Sequence, residues 1–154
     1  MTEPLTPDSK VLFRTFNEDG SAHVETPWAT NLGNDQYEIN NSLWYAYGVS
    51  WLDVVYAPLD EKDGCAVFQH VVRKAGHRTV RVAFPSPVSP GDLSDRALQG
   101  LVAMGCSYEG AWGKLFSVDI PPEVDLGQVR SFLVSEKVDW EHADPGHDTI
   151  FSST

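Results

Sequence analysis

Residues 89–105, SPGDLSDRALQGLVAMG, mark the point where the hydrophobic period of this chain changes from two to about 3.6. Ser89 or Asp92 is a suitable N-cap, and Gly105 is typical of a residue that ends a helix. The apolar residues that recur on one helical face between them are Leu93, Ala97, Leu98 and Leu101. The sequence therefore predicts a helix here, after a region with the period of strands.

The residues before this helix predict a set of short strands. Residues 10–17, KVLFRTFN, alternate apolar and other side chains, and 18–21, EDGS, form a tight-turn signal. The return strand, 22–32, is interrupted by Pro27, which indicates an edge position or a bulge. Further strands are predicted at 36–40, 52–57, 65–73 and 77–84. Five to six short strands with close turns favour a small β-barrel or a curled antiparallel sheet.

The residues after the first helix complete a second pattern. Asp125 and Gln128 form a capping box, with Val124 and Val129 in the staple positions, so a second helix is predicted. Strands are predicted at 106–112, 114–120 and 138–142. Together with the strand at 77–84 they give the order β-α-β-β-α-β, which is typical of a ferredoxin-like unit.

The predicted fold class is thus α+β, with a small β-barrel or curled sheet followed by a ferredoxin-like unit. The predicted domain boundaries are an N-terminal tail at 1–9, a barrel-like unit at 10–76, a ferredoxin-like unit at 77–143 and a C-terminal tail at 144–154.

The composition is that of a globular protein, with 42% hydrophobic residues in 154. Glu3, Asp8 and two prolines near the start are unlike a signal peptide, and residues 40–52 are too polar and too short to span a bilayer. We expect a cytoplasmic protein without membrane contact. Cys65 and Cys106 belong to no CxxC or Cys/His motif, so no disulfide, metal site or cofactor is expected.

The formal net charge of −11 is unevenly distributed. Residues 1–65 hold 11 acids and 3 bases, 66–118 hold 3 and 6, and 119–154 hold 8 and 2, so the segments carry −8, +3 and −6. Such a chain repels nucleic acid and anionic lipid, and it attracts a basic protein or a cationic ligand. The alternative interpretation is that the charge serves only solubility.

Aromatic residues are concentrated around Gly48. The five members of this group are Trp44, Tyr45, Tyr47, Trp51 and Tyr56. Tyr and Trp are favoured where one end of a side chain is buried and the other meets a ligand or partner. The group is therefore a candidate binding site, although it could equally form the wall between the sheet and the helices.

A basic hairpin is the second candidate site. Its members are His70, Arg73, Lys74, His77, Arg78 and Arg81. On paired strands their charged groups could converge on a phosphate or a carboxylate. A solvated hairpin that pairs with the protein's own acidic surface would explain the same residues.

Two further groups carry reactive side chains. Cys106, with Glu109 and a histidine such as His77, could form a catalytic site, but the cysteine follows a helix C-terminus, where a thiolate is not stabilised. Glu141, His142, Asp144, His147 and Asp148 could ligate a metal but lie near turn residues. We expect no metal site there, because metal geometry needs rigid support.

Several segments resemble an uncharacterised bacterial family known as a domain of unknown function. The segments are 24–29, VETPWA; 46–55, AYGVSWLDVV; 71–79, VVRKAGHRT; 105–110, GCSYEG; and 118–126, VDIPPEVDL. They cover most of residues 22–135. The resemblance implies a family without an established activity, so it assigns no catalytic residue.

Two hypotheses follow. In the first, the protein is a non-catalytic binding protein, such as an immunity-type inhibitor or accessory regulator, and its acidic and aromatic surfaces bind a basic protein. In the second, it is a small enzyme or metabolite-binding protein with an anion site where the two halves meet. In that hypothesis Arg73, His77 and Arg81 hold the anion beside Cys106 or Glu109.

Overall fold

The structure, a computed structural model, describes residues 8–111 and 113–146. The chain divides after Ala75 into two compact units, and each has its own hydrophobic core. The architecture is mixed α+β and mostly sheet, and it includes a curled half-barrel sheet, so these parts of the predicted fold class are confirmed. In the part of the chain that is described, no helix has the length and apolar character needed to cross a bilayer.

The first unit is built from short strands. They are β1 (Ser9–Phe16), β2 (Ala22–Glu25), β3 (Trp28–Gly33), β4 (Gln36–Ile39), β5 (Val54–Tyr56), β6 (Leu59–Asp60), β7 (Cys65–Val67) and β8 (His70–Arg73). They form one sheet in the order β6-β7-β1-β3-β4-β5-β8, and β2 pairs with β1. The sheet curls around a core that contains Val11, Phe13, Ile39, Leu43 and Val55.

The hairpin turns of this unit use residues that tolerate a positive φ. In the β1–β2 turn, Gly20 has φ 87°, and the N–H of Ser21 donates to the Asp19 carboxylate at 2.9 Å. In the β3–β4 turn, Asn34 and Asp35 have φ 56° and 60°, as a primed hairpin turn requires. The first turn lies at the predicted turn signal EDGS, and the second lies between the strands predicted at 22–32 and 36–40.

Strand β1 contacts three other strands. It pairs antiparallel with β2 and β3, and parallel with β7 through Val11 and Leu12 opposite Ala66 and Val67. The predicted alternation is present, because Val11 and Phe13 are buried and Arg14 is exposed. The parallel pair brings distant parts of the chain together and closes one side of the curl.

Within its described residues, the second unit contains a four-stranded antiparallel sheet and two helices. Its elements are β9 (Arg78–Ala83), α1 (Leu93–Ala103), β10 (Ser107–Ala111), β11 (Leu115–Ile120), α2 (Leu126–Ser135) and β12 (Asp139–Asp144). The strand order is β10-β11-β9-β12. Val80 and Val82 of β9 pack in one core with Leu98 of α1 and Leu133 of α2.

The start of α1 is set by Asp92, one of the two predicted caps. Its carboxylate accepts from the N–H of Asp95 at 2.7 Å and from the N–H of Ser89 at 2.8 Å. These hydrogen bonds lower the pKa of Asp92, and the one from Asp95 has the larger effect. Ala97, Leu98 and Leu101 are buried as predicted, whereas Leu93 is 81% exposed, so its assignment to the buried face was wrong.

The number of strands was underestimated. Residues 8–84 contain nine strands instead of five to six, counting β9. The single strand predicted at 65–73 is two strands, because β7 pairs with β1 and β6 while β8 pairs with β5. Leu59–Asp60, for which no strand was predicted, form β6, and residues 61–64 turn the chain into β7. Hydrophobic period alone does not show that a run of residues changes its pairing partner.

We expect Gly100→Ala to destabilise the second unit by about 1–3 kcal/mol, although alanine is the better helix former. A Cβ at Gly100 of α1 would overlap the ring of Phe132 on α2. The measurement is the free energy of unfolding in urea. The exposed neighbour Gln99 supplies the control, since Gln99→Ala should change stability by no more than about 0.5 kcal/mol. Equal stability of the two variants would contradict the expectation.

Candidate functional site

The best-formed candidate site is the segment 40–53 between β4 and β5, which we name the aromatic loop. Leu43 and Val49 bury their side chains in the core of the first unit. Trp44 and Tyr45 are half-buried, while Tyr47 and Trp51 are 54% and 37% exposed. The loop is thus fixed from inside and presents two large aromatic side chains to solvent.

Glu25, at the end of β2, holds the first half of this loop. Its carboxylate accepts hydrogen bonds from three consecutive backbone N–H groups, those of Trp44 at 2.6 Å, Tyr45 at 2.9 Å and Ala46 at 2.9 Å. A loop without regular pairing leaves such groups unsatisfied, and hydrogen bonds to a charged acceptor are the stronger kind. One side chain therefore fixes the backbone beneath the aromatic residues.

Asp53 holds the second half of the loop. It is fully buried, and its carboxylate accepts from the N–H of Ser50 at 2.8 Å, the N–H of Ala75 at 2.8 Å and the ammonium of Lys74 at 2.5 Å. Lys74 also donates to the carbonyl of Gly48 at 3.0 Å. A buried carboxylate is tolerated only with such partners. The loop and the end of the first unit therefore share one polar centre.

Trp28 extends the aromatic surface at the start of the loop. Its backbone N–H donates to the side-chain oxygen of Asn41 at 2.6 Å, and its backbone carbonyl accepts from the backbone N–H of Asn40 at 2.9 Å. Trp28 is 48% exposed, and the ammonium of Lys10 lies 4.6 Å from the centroid of its ring. Trp28 is a candidate site residue that sequence reasoning missed, because it lies outside the aromatic group around Gly48.

We expect Asp53→Ala to lower the free energy of unfolding by about 3 kcal/mol, because it leaves buried N–H donors without an acceptor. Urea unfolding monitored by tryptophan fluorescence measures the change. The matched control is Asp63→Ala, which removes an exposed ion pair with Arg14 at 3.2 Å and should change stability by no more than about 0.5 kcal/mol. A loss below about 1 kcal/mol for Asp53→Ala would show that the polar centre is not structural.

The structure corrects the predicted basic hairpin. Strand β8 belongs to the sheet of the first unit and β9 to the four-stranded sheet of the second, so the two are not paired. The proposed cluster therefore divides, with His70, Arg73 and Lys74 in the first unit and His77, Arg78 and Arg81 in the second. The paired-strand geometry that would make the six side chains converge is absent from the described sheets.

Most of these basic side chains contact acceptors of their own unit. Lys74 binds Asp53, His77 binds both oxygens of Asp119 at 2.9 and 3.0 Å, and Arg81 contacts Glu141 at 3.2 Å. Arg78 donates to the carbonyls of Pro121, at 2.5 Å, and Val124. The ring of His70 stacks on Tyr56, and Arg73 is exposed. Four of the six basic side chains are therefore paired with groups of the protein itself.

Cys106 lies in a setting that keeps its thiol protonated. Burial raises the pKa of Cys106 to about 11, the charge of Asp119 adds to this effect, and Arg78 opposes it. Burial also raises the pKa of Asp119, although His77 lowers it. The sequence did not single out Asp119 as the partner of His77. The thiol is therefore protonated at pH 7, and a protonated thiol is a poor nucleophile.

We expect Cys106 to react slowly with iodoacetamide in the folded protein. In a Cys65→Ser variant, where Cys106 is the remaining cysteine, the alkylation rate should keep rising up to about pH 11, because the thiolate is the reactive form. Mass spectrometry against pH measures this rate. Rapid alkylation at pH 7 with a midpoint below about 8.5, the pKa of a free thiol, would instead indicate an activated cysteine.

The C-terminal group of metal-capable residues is only partly visible, because His147 and Asp148 lie outside the described residues. Within residues 8–111 and 113–146, no three His, Cys, Asp or Glu side chains are placed to hold a metal ion.

Two surface cavities lie near Trp140. One, of about 550 Å³, is bounded by Arg130 and Val134, and the other, of about 230 Å³, by Arg81 and Leu115.

The two carboxylates that hold the loop were also missed by sequence reasoning. Asp53 had a usable signal, because it is the single charged residue in the run WLDVVY at 51–56, and an acid among apolar residues needs internal partners. Glu25 had no such signal, since its three donors lie about twenty positions away along the chain.

The fold and the site define a mixed α+β protein with an aromatic loop held by carboxylates. A family described as a domain of unknown function, DUF4265, matches residues 25–143, so the chain belongs to this family, as its resemblance implied. The fold is similar to a crystal structure of a hypothetical protein from Neisseria gonorrhoeae, with a TM-score of 0.74 and 16% identity. That match covers 94% of this chain and 99% of the other. No curated protein matches the chain.

Proposed function

We propose that this protein is a non-catalytic recognition protein that binds a basic protein partner, in the manner of an immunity-type inhibitor or accessory regulator. The observation that carries the proposal is the aromatic loop, in which Glu25 and Asp53 fix the backbone while Tyr47 and Trp51 remain exposed. A loop that is ordered before binding loses less entropy on association. Exposed Trp and Tyr are the residues that most often dominate binding energy.

The net negative charge of the first unit favours a basic protein as the partner. Residues 1–75 contain 11 acidic and 5 basic residues, which gives −6 for the unit that carries the loop. Lys74 is already bound to Asp53, and Arg14 contacts Asp63, so part of this positive charge is paired within the unit. A basic protein would be attracted over a distance of several ångströms, and the attraction would weaken as salt rises.

The second unit is proposed as a ferredoxin-like unit spanning 77–143 that provides no chemistry of its own. The element order β9-α1-β10-β11-α2-β12 and the strand order β10-β11-β9-β12 support this assignment. The protonated thiol of Cys106 supports a non-catalytic role. We place the protein in the cytoplasm, where its two free cysteines would stay reduced.

The test is capture of proteins from a lysate of the native host by the full chain at low salt, followed by an affinity measurement with each captured protein. We expect a basic partner whose affinity falls as salt is raised. The double variant Tyr47→Ser, Trp51→Ser should weaken binding at least thirtyfold, since hot-spot side chains contribute about 2 kcal/mol or more.

The matched control removes exposed apolar surface elsewhere in the first unit. Leu59 and Val72 are 68% and 44% exposed, and the double variant Leu59→Ser, Val72→Ser should bind as the wild type does. The proposal fails if no basic protein is captured at low salt. It also fails if the loop variant and the control variant bind the partner equally well.

A further inference from the structure

We propose that Trp28 is a cation-binding residue whose ring face is covered in the free protein by Lys10 and is taken over by an arginine or lysine side chain of the partner. This inference rests on the proposed function and names the chemistry that its surface would recognise. It is carried by one contact, the ammonium of Lys10 at 4.6 Å from the ring centroid of Trp28.

The backbone places these two residues together. Lys10 of β1 is directly opposite Trp28 of β3 in the antiparallel pair, so their side chains project from the same face of the sheet. A cation within about 6 Å of an indole centroid is attracted by the negative face of the ring. The protein therefore already shows that this ring accepts a positive charge.

Lys10 can leave the ring at little cost. Its side chain is exposed, and within the described residues it has no carboxylate partner. Exposed cation–π contacts are among the weaker ones, so a cation that is better held from elsewhere would displace it. Guanidinium groups make this contact more often than ammonium groups, which favours arginine as the incoming residue.

The backbone of Trp28 is held in place. Both backbone hydrogen bonds of Trp28 go to Asn40 and Asn41, at the beginning of the aromatic loop, so Trp28 belongs to the same rigid element as the loop. Trp28 is 48% exposed, which leaves area for contact with a partner. Trp28 thus adds an exposed aromatic ring to the unit that carries Tyr47 and Trp51.

The experiment measures the affinity of a hexaarginine peptide for the full chain at low salt, by isothermal titration calorimetry. Lys10→Met should tighten binding, because it removes both the competing ammonium and one positive charge. Lys62→Met is the matched control, since Lys62 is also exposed and its loss changes the net charge equally. We expect the Lys10 variant to bind about two- to fivefold more tightly than the Lys62 variant.

Trp28→Leu keeps an apolar side chain but removes the ring. We expect this variant to bind hexaarginine about two- to fivefold more weakly than the wild type. In the Trp28→Leu background, Lys10→Met and Lys62→Met should have equal effects. Equal binding by the Lys10 and Lys62 variants in the wild-type background, or unchanged binding by Trp28→Leu, would overturn the inference.

The two proposals fail in different ways. If a native partner requires Tyr47 and Trp51 but binds equally well to Trp28→Leu and Lys10→Met, recognition by the loop stands and the inference about Trp28 falls. If hexaarginine binding depends on Trp28 but no native basic partner is captured, the cation site stands and the proposed function falls.

Discussion

A carboxylate without contact with water must receive its hydrogen bonds from the protein, and in the first unit Asp53 imposes this constraint. Its donors come from Ser50 in the aromatic loop and from Lys74 and Ala75 after the last strand of the unit. The end of the loop and the end of the unit are therefore fixed by one group. The exposed aromatic side chains can be rigid because the backbone below them is held in this way.

Charge in this protein has two distinct uses. Several basic side chains contact carboxylates of the protein itself, such as Lys74 with Asp53, His77 with Asp119 and Arg81 with Glu141. These pairs order loops and strands within each unit. Many remaining acids, such as Glu18, Asp35 and Glu61, are exposed. The sequence count of 11 bases therefore overstates the positive charge that a partner would meet.

Much of the fold was readable from local signals. The turns at Gly20 and at Asn34, the caps Asp92 and Asp125, and the buried face of α1 all follow from chemistry within a few residues. The pairing of strands was less accessible, because the split of 65–73 into β7 and β8 depends on partners far along the chain.

Only part of the candidate site could be predicted from the sequence. The aromatic group around Gly48 is evident from composition, whereas the exposure of Tyr47 and the burial of Leu43 depend on tertiary packing. Glu25 binds backbone N–H groups of the aromatic loop, which lies far from it in the sequence. Lys10 contacts Trp28 because of the register between β1 and β3, which a single sequence does not specify. The predicted basic hairpin was wrong, because residues that are close along the chain belong to two different sheets.

The parallel pairing of β1 with β7 determines the order in which the first unit can form during translation. Strands β2 and β3 leave the ribosome soon after β1 and can pair with it at once, but Val11 must wait for Ala66. At roughly 5–20 residues per second, this delay lasts several seconds. During that time one edge of β1 is open, and an open edge is a template for pairing with another chain.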